Sequence, residues 1–251
     1  MKNLIEVKNL SKDYADPSGF NVHLLEDISI NIEEGSITSI VAPTGAGKSS
    51  LLRILGNLES LTGGTINNNF ENKKIVYIPS QASSYPWYSV RENLMLLNID
   101  EKLFKEIIHL VGLEGYEDHY PDNNSLAFRL RISLGRAIAA NAGTIILDEP
   151  FLKNIKQESL ERIYELILLL KSTLGLTIIM GTSNLSESIL LSDKIYLMKK
   201  NPGKIFDSID ISFEQNRDVK QMSSEKFNEY RSLIEQKMKS EPSQILSNIT
   251  V

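Results

Sequence analysis

The apolar positions of this chain have the two-residue period of strands near its start and a mixed pattern afterwards. Runs typical of β-strands occupy about the first 40 residues, LIEVKNL, LLEDISINI and GSITSIVA, and turns containing DPSG and EEG separate them. From residue 49 the apolar residues of SSLLRILGNL recur with helical spacing. Beyond residue 141 apolar runs alternate with amphipathic ones: GTIILDEP, SLERIYELILLLKST, LTIIMGTS, SESILLSD and KIYLMKK. Strands alternating with helices predict an α/β fold with a mostly parallel central sheet and right-handed crossovers.

Residues 82–141 interrupt this alternation. Their spacing is mostly helical, most clearly in EKLFKEIIHLVGL, so we expect a helical subdomain of about 82–141 inserted into a main domain of 1–210. Residues 211–251 are polar apart from SEKFNEYRSLIEQKM, which predicts a peripheral C-terminal helix. The three asparagines at 67–69 indicate a turn.

Composition narrows the classes of function. The 251 residues suffice for one domain with a subdomain, and the net charge of -5 argues against a nucleic-acid binder, which is usually basic. The chain has no cysteine, which excludes disulfides and thiolate metal sites. MKNLIEVKNL lacks the apolar core of a signal peptide, and no apolar run approaches the ~18 residues of a membrane span. We therefore expect a cytoplasmic protein whose membrane role, if any, comes through a partner.

An apolar strand, a glycine-containing loop and a helix follow one another in SIVAPTGAGKSSLL. Glycine lets several backbone N–H groups converge on one anion, and the N-terminus of the helix adds its dipole. Lys48 can neutralise the β- and γ-phosphates of a nucleotide, and the Ser49 hydroxyl can ligate Mg²⁺. Ala42 replaces the first glycine of G-x-x-x-x-G-K-[ST], the smallest departure possible. The alternative is a turn that binds nothing, but Gly45, Gly47 and the Lys-Ser pair are all in register and favour a phosphate site.

The run TIILDEP delivers two acids to the end of an apolar strand. Asp148 can hold the Mg²⁺ shell, and Glu149 can polarise an attacking water as a general base. An acidic pair at a strand end is also common as a solvated turn. Its place about 100 residues after the phosphate loop favours the catalytic interpretation.

With both motifs placed, the chain resembles the ATP-binding subunits of ABC transporters, particularly the ATPases of nitrate, sulfonate, taurine and thiamine-precursor importers. The resemblance covers nearly the whole chain, because YIPSQASSYPWYSVRENL resembles the Q-loop region and TIIMGTSNLSESILLSDKIYLM resembles the switch strand and its helix. It implies a P-loop NTPase fold with an N-terminal antiparallel β part, and it implies ATP and Mg²⁺ as ligands. It also implies a second ATP-binding subunit, identical or different, and a membrane permease. The two ATP-binding subunits would bind the permease from the inner face of the cell membrane. A solute-binding protein would take part indirectly.

The resemblance assigns roles to individual residues. Tyr14 of LSKDY would stack on adenine, Gln81 would reach Mg²⁺ and the attacking water, and Glu149 with Lys48 would be catalytic. The ATP contacts would come from Tyr14, Thr44, Gly45, Ala46, Gly47, Lys48, Ser49, Ser50 and Gln81, and the Mg²⁺ ligands would be Ser49, Gln81 and Asp148. YPWYSVREN would lie close to the permease, although packing of Trp87 within the protein is an equal alternative.

Three stretches depart from the family pattern. The family carries Leu-Ser-Gly-Gly and then Gln or Met at the start of a helix, where this chain has Asn124-Ser125-Leu126-Ala127-Phe128. By the resemblance, Ser125 would contact ATP on the opposing subunit, but Leu126 stands where backbone normally approaches the nucleotide. A capped helix that makes no catalytic contact is an equal alternative. Ser183 occupies the position of the switch histidine, and Ile155 occupies that of an aspartate that helps to set the opposing site. His23, His109 and His119 all precede Asp148 and cannot replace the switch residue.

Residues that bind nucleotide and Mg²⁺ are thus kept, while those that complete hydrolysis across a dimer are altered. Nucleotide binding should survive and turnover should be slow, because turnover depends on preorganised contacts in the transition state. The alternative is a nucleotide-binding regulatory or structural subunit with negligible ATPase activity. A P-loop kinase for a small molecule is a third candidate, which the long spacing to LDEP and the Gln81 region disfavour. The sequence does not identify the transported solute.

Overall fold

The computed structural model of the protein describes residues 3–15, 21–69, 73–81, 84–121, 126–151, 155–213 and 217–240. Nine strands lie in these ranges: β1 Asn3–Ala15, β2 Asn21–Glu33, β3 Ile37–Val41, β4 Gly63–Asn68, β5 Lys74–Ile78, β6 Ala142–Asp148, β7 Thr177–Thr182, β8 Lys194–Lys199 and β9 Lys204–Asp210. Seven α-helices accompany them: α1 Lys48–Leu55, α2 Val90–Met95, α3 Glu101–Val111, α4 Leu126–Ala139, α5 Gln157–Leu174, α6 Leu185–Leu191 and α7 Glu225–Ser240.

The strands form two sheets. A three-stranded antiparallel sheet has the order β2-β1-β4, and a six-stranded sheet has the order β5-β6-β7-β3-β8-β9. All neighbours in the larger sheet are parallel except β9, which pairs antiparallel with β8. Every residue of β3 and β7 is buried, as expected of strands covered on both faces.

The register of the larger sheet brings four strand ends to one edge. Val41 at the end of β3 is opposite Thr182 at the end of β7, and Asp148 at the end of β6 is opposite Gly181. Ile78 at the end of β5 is opposite Leu147. Loops that follow these strands therefore meet at a single edge, where α/β folds commonly bind ligands.

The arrangement confirms the predicted fold class, including the antiparallel N-terminal part and the helical insertion, where α2, α3 and α4 lie. The division at residue 210 stays a prediction; the described part beyond it holds a 3-10 turn, Val219–Ser223, and α7. Among the residues that the structure describes, no helix is long and apolar enough to cross a membrane.

The prediction of a turn at residues 67–69 was wrong. Asn67 and Asn68 belong to β4, where Asn67 pairs with Glu6 and Asn68 with Ile5 of β1. An edge strand that faces solvent can carry polar residues without losing its backbone pairing. A run of asparagines therefore does not distinguish a turn from an edge strand. β9 was also not anticipated from the sequence.

Candidate functional site

The loop between β3 and α1 has the curvature that the glycine pattern predicts. Gly45 has a φ of 83° and Gly47 a φ of 88°, in the left-handed region that favours glycine. A Cβ on Gly47 would also lie 2.6 Å from Cδ2 of Leu25. Two independent constraints, conformation and space, therefore require glycine immediately before α1.

Ala42 stands where the sequence pattern has its first glycine, and the structure explains why alanine is accepted there. The residue is buried, and it is not one of the non-glycine residues with a positive φ. Its N–H donates to the carbonyl of Thr182 at 3.3 Å, which ties the start of the loop to the end of β7. The methyl group therefore adds no backbone strain to the loop.

Lys48 begins α1 and is almost fully buried, with 6% of the residue exposed. Its stem lies against β7: a Cβ on Gly181 would be 2.9 Å from Cγ of Lys48 and 2.5 Å from Cδ1 of Leu52. Glycine at 181 thus lets α1 approach the sheet and directs the ammonium group towards the shared edge of the sheet.

Glu149 meets Lys48 at this edge. Nζ of Lys48 donates to Oε1 of Glu149 at 2.7 Å, and the backbone N–H of Ser183 donates to Oε2 at 3.3 Å. Glu149 has a φ of 45°, uncommon for a residue with a side chain, and its N–H is fixed by the carbonyl of Gly181 at 2.8 Å. The carboxylate is therefore held between the lysine and the turn after β7, at a backbone conformation that costs energy.

Asp148 carries a carboxylate that is only half satisfied. The residue is 5% exposed, and the Tyr77 hydroxyl donates to its Oδ2 at 2.8 Å. Burial, reinforced by the bond to Asp148, raises the pKa of the Tyr77 hydroxyl to about 12, so it stays a donor at neutral pH. The buried Oδ1 has no hydrogen-bond partner among the described residues. An orphaned carboxylate oxygen is costly unless a cation satisfies it, so the residue fits a Mg²⁺ shell.

Glu187 is a buried acid under the turn after β7 that sequence reasoning did not single out. It is 2% exposed, the Thr182 hydroxyl donates to its Oε1, and the Tyr164 hydroxyl donates to its Oε2 at 3.4 Å. The same Thr182 oxygen accepts from the N–H of Asn184 at 2.9 Å, so the carboxyl helps to fix the turn that carries Ser183. The only signal in the sequence is one acid at the start of the amphipathic run SESILLSD.

The stability of the protein should depend on pH through Glu187. Burial raises the pKa of its carboxyl to about 7 from an ordinary 4.5, and the Glu149 charge adds to the shift. The folded state then binds a proton more readily than the unfolded chain. The stabilisation is complete below about pH 4.5 and is lost as the pH rises through about 7.

Glu187→Gln should therefore gain stability relative to the parent as the pH rises from 5 to 8.5, by up to about 3 kcal/mol. Urea unfolding at the two pH values measures the difference. Glu229→Gln on the exposed surface of α7 is the matched control and should show no such trend. A difference between Glu187→Gln and the parent that is the same at both pH values would contradict this account.

The model of the family described as ABC transporter matches residues 25–152 of the chain. This protein belongs to that family.

The aliphatic sulfonates import ATP-binding protein SsuB of Bacillus cereus is 30% identical over 237 residues, 90% of this chain and 92% of that protein. The SsuB 1 protein of Pseudomonas savastanoi is 27% identical and covers 78% of this chain and 82% of its own length. The dimeric structure of a bacterial ABC transporter cassette has a TM-score of 0.72 at 24% identity, covering 84% of this chain and 100% of that one. The chain is an ATP-binding subunit of an ABC transporter.

The other predicted site residues of this ABC subunit lie as follows. Gln81 is exposed, three residues beyond the end of β5 and at the same edge as the loop. The Tyr14 hydroxyl lies 3.2 Å from Oγ of Ser50 and so borders α1. Thr44 and Gly45 are exposed at the loop surface, whereas Ala46 is buried and Ser49 half-buried.

The positions at which this ABC subunit departs from its family are only partly described. Leu126, which is half-buried, and the buried Ala127 are the first two residues of α4, while Asn124 and Ser125 lie outside the described residues. Ser183 is exposed, and Ile155 is half-buried against the main core.

Proposed function

We propose that this subunit binds MgATP at the shared edge of the sheet and hydrolyses it slowly while it drives an importer-type permease. The observation that carries the proposal is the convergence on that edge of Lys48, which begins α1, with Asp148 and Glu149 at the end of β6. Relatives named as import ATP-binding proteins for aliphatic sulfonates support the importer type.

The loop and α1 hold the triphosphate of ATP. Backbone N–H groups of residues 44–50 and the ammonium group of Lys48 face the phosphates, because the loop curves around its two left-handed glycines. Ser49, Gln81 and Asp148 hold Mg²⁺, and the orphaned Oδ1 of Asp148 is the observation that supports its part. Bound Mg²⁺ supplies electrostatic stabilisation of the charge that develops on the phosphates.

Glu149 acts as the general base towards the attacking water. In the structure Lys48 holds its carboxylate, so phosphates that draw Lys48 away also release Glu149 for the water. The backbone N–H of Ser183 stays within reach of the second carboxylate oxygen and keeps the group aimed at the edge of the sheet. Nucleotide binding and activation of the base are thereby coupled.

Slow turnover follows from what is missing around the γ-phosphate. Ser183 offers a short neutral side chain where the family places a histidine, and Leu126 with Ala127 replaces the two glycines of the opposing contact. A homodimer would repeat both defects in each of its two sites. Pairing with a different ATP-binding subunit would correct one defect per site, so turnover should then be faster but still modest.

The permease binds at an aromatic cluster formed by Tyr85, Trp87 and Tyr88. Trp87 is 65% exposed, which disfavours its packing within the chain. The ring centroids of the three residues lie 5.7 to 6.3 Å apart, and the guanidinium of Arg136 lies 4.4 Å from the Tyr85 centroid. Asn93, fully buried, donates to the carbonyls of Tyr85 and Tyr88 and accepts from the N–H of Tyr85, so the cluster is rigid before any partner binds. Rigid exposed aromatics are typical anchors of protein interfaces.

Purification of the tagged chain from solubilised native membranes tests this proposal. The permease should co-purify, together with any second ATP-binding subunit, and the complex should hydrolyse ATP. Trp87→Ala should weaken permease binding by at least about 2 kcal/mol, since it removes a central aromatic anchor. Leu58→Ala is the control, because Leu58 is equally exposed at 62% but lies outside the cluster. Equal recovery of the permease with both variants would exclude this docking surface.

The dimer and its permease would place the subunit on the inner face of the cell membrane. A solute-binding protein would act on the permease and not on this chain. The transported solute is then chosen by those partners, and their identification in the purified complex reports it.

A further inference from the structure

The predicted adenine-stacking residue is held by a closed group of side chains, here called the Tyr14 network. It consists of Lys12, Tyr14, Ser50, Arg53 and Glu59, which join β1, α1 and the segment after α1. Tyr14 is near the end of a strand, and its ring would be free to turn about the side-chain bonds without these contacts. The network ties the ring to the helix that begins at Lys48.

The direction of each hydrogen bond follows from Glu59, because a carboxylate only accepts. The Tyr14 hydroxyl donates to Oε1 of Glu59, and Nε of Arg53 donates to Oε2 at 3.0 Å. The Tyr14 oxygen is then an acceptor for the Ser50 hydroxyl at 3.2 Å, and Ser50 itself accepts from Arg53 at 3.1 Å. The bonds among Tyr14, Glu59, Arg53 and Ser50 therefore form a closed ring, so Glu59 and Arg53 together specify the orientation of Tyr14.

Charge favours the same arrangement. Burial opposes the ionised form of Glu59, but the hydrogen bonds from Tyr14, Arg53 and Lys12 outweigh it and lower the pKa of the carboxyl below its ordinary value. The ammonium group of Lys12 lies 3.4 Å from Glu59 and 4.8 Å from the centroid of the Tyr14 ring. Lys12 thus covers one face of the ring, and a base can stack only on the other. Tyr14 keeps 38% of its surface exposed for that contact.

We propose that Glu59 is a positioning residue for nucleotide recognition, which holds Tyr14 as a fixed one-sided platform for the base of ATP. The proposal rests on the proposed function, since it concerns the base of the same nucleotide whose phosphates the loop binds. Glu59 itself touches no part of the nucleotide in this account. Glu59 restricts the side-chain rotation of Tyr14 before the nucleotide arrives, so less conformational entropy is lost on binding. Preorganisation of that kind strengthens binding.

Comparison of two ligands separates the base from the phosphates. ATP binds to the platform and to the loop, whereas inorganic tripolyphosphate binds only to the loop. Calorimetry should give an ATP dissociation constant about tenfold weaker for Glu59→Ala than for the parent, the loss expected when a stacked base loses its platform. The dissociation constant for tripolyphosphate should stay within about twofold, and this also shows that the loop and α1 are still folded.

Two further variants distinguish positioning from general structure. Tyr14→Phe keeps the ring and removes only the hydroxyl that Glu59 holds, so it should weaken ATP binding as much as Glu59→Ala. Glu59→Gln still accepts from Tyr14 and should restore most of the ATP affinity. The double variant Tyr14→Phe with Glu59→Ala should bind ATP no more weakly than either single variant, because both break the same tether.

Parent-like ATP affinity in Tyr14→Phe, or equal losses for ATP and tripolyphosphate in Glu59→Ala, would overturn the positioning role. Additive losses in the double variant would overturn it as well. Failure of the parent chain to bind either ligand would instead contradict the proposed function. The two failures are therefore distinguishable in one set of titrations.

Discussion

Glu149→Gln should lower steady ATP hydrolysis by at least about a hundredfold and leave ATP binding intact or slightly tighter. Removal of a general base typically costs about 10²–10⁴-fold in rate. Binding should not weaken, because the ion pair of Lys48 and Glu149, 2.7 Å between Nζ and Oε1, competes with the phosphates for the lysine. A neutral amide at position 149 competes less. Phosphate release by the purified complex and ATP titration of the chain measure the two quantities.

The control for this variant is Glu158→Gln on α5, whose side chain is 79% exposed and pairs with Arg162 instead of Lys48. It should leave both quantities unchanged. Unchanged hydrolysis in Glu149→Gln would remove Glu149 from the mechanism. Hydrolysis that is negligible before and after the substitution would favour the regulatory or structural subunit instead.

The parts of this site that could be predicted from the sequence are those carried by contiguous motifs. The loop from Ala42 to Ser49 and the acids at the end of β6 are each a strand end followed by a few residues, so local pattern and spacing predict where they lie along the fold. Their meeting at one edge follows from the parallel order of β3, β6 and β7. No comparable rule exists for a side chain that reaches another element.

Contacts between distant residues account for what sequence reasoning missed. Tyr77 and Asp148 are 71 positions apart, and Tyr14 and Glu59 are 45 apart. Each pair is in contact only because two elements pack against each other in a particular register. Residue types and their spacing in the sequence do not predict that register. Glu59 in particular lies in the segment after α1, outside every sequence motif of the site.

Ser183→His should raise the turnover of the purified chain by about tenfold or more. The reason is that one preorganised donor at a developing charge is worth on the order of 10²–10³-fold in rate. Part of that gain would be lost because Leu126 and Ala127 alter the contact across the dimer. The turn already lies beside the catalytic base, because the backbone N–H of Ser183 is 3.3 Å from Oε2 of Glu149. The serine side chain is exposed, so an imidazole ring at this position would not clash with the core. Steady phosphate release at saturating ATP is the measurement.

Ser186→His, one turn further along on α6, introduces the same side chain away from Glu149 and should leave turnover unchanged. Adding Leu126→Gly and Ala127→Gly to Ser183→His should raise turnover again. The histidine acts within its own subunit, whereas the two glycines act across the dimer. Because Thr182, Glu187 and Asn184 hold the turn at position 183, the gain needs no new backbone conformation. Unchanged turnover in Ser183→His with normal ATP affinity would mean that the missing histidine does not limit this enzyme. The slow step would then lie in the contact across the dimer.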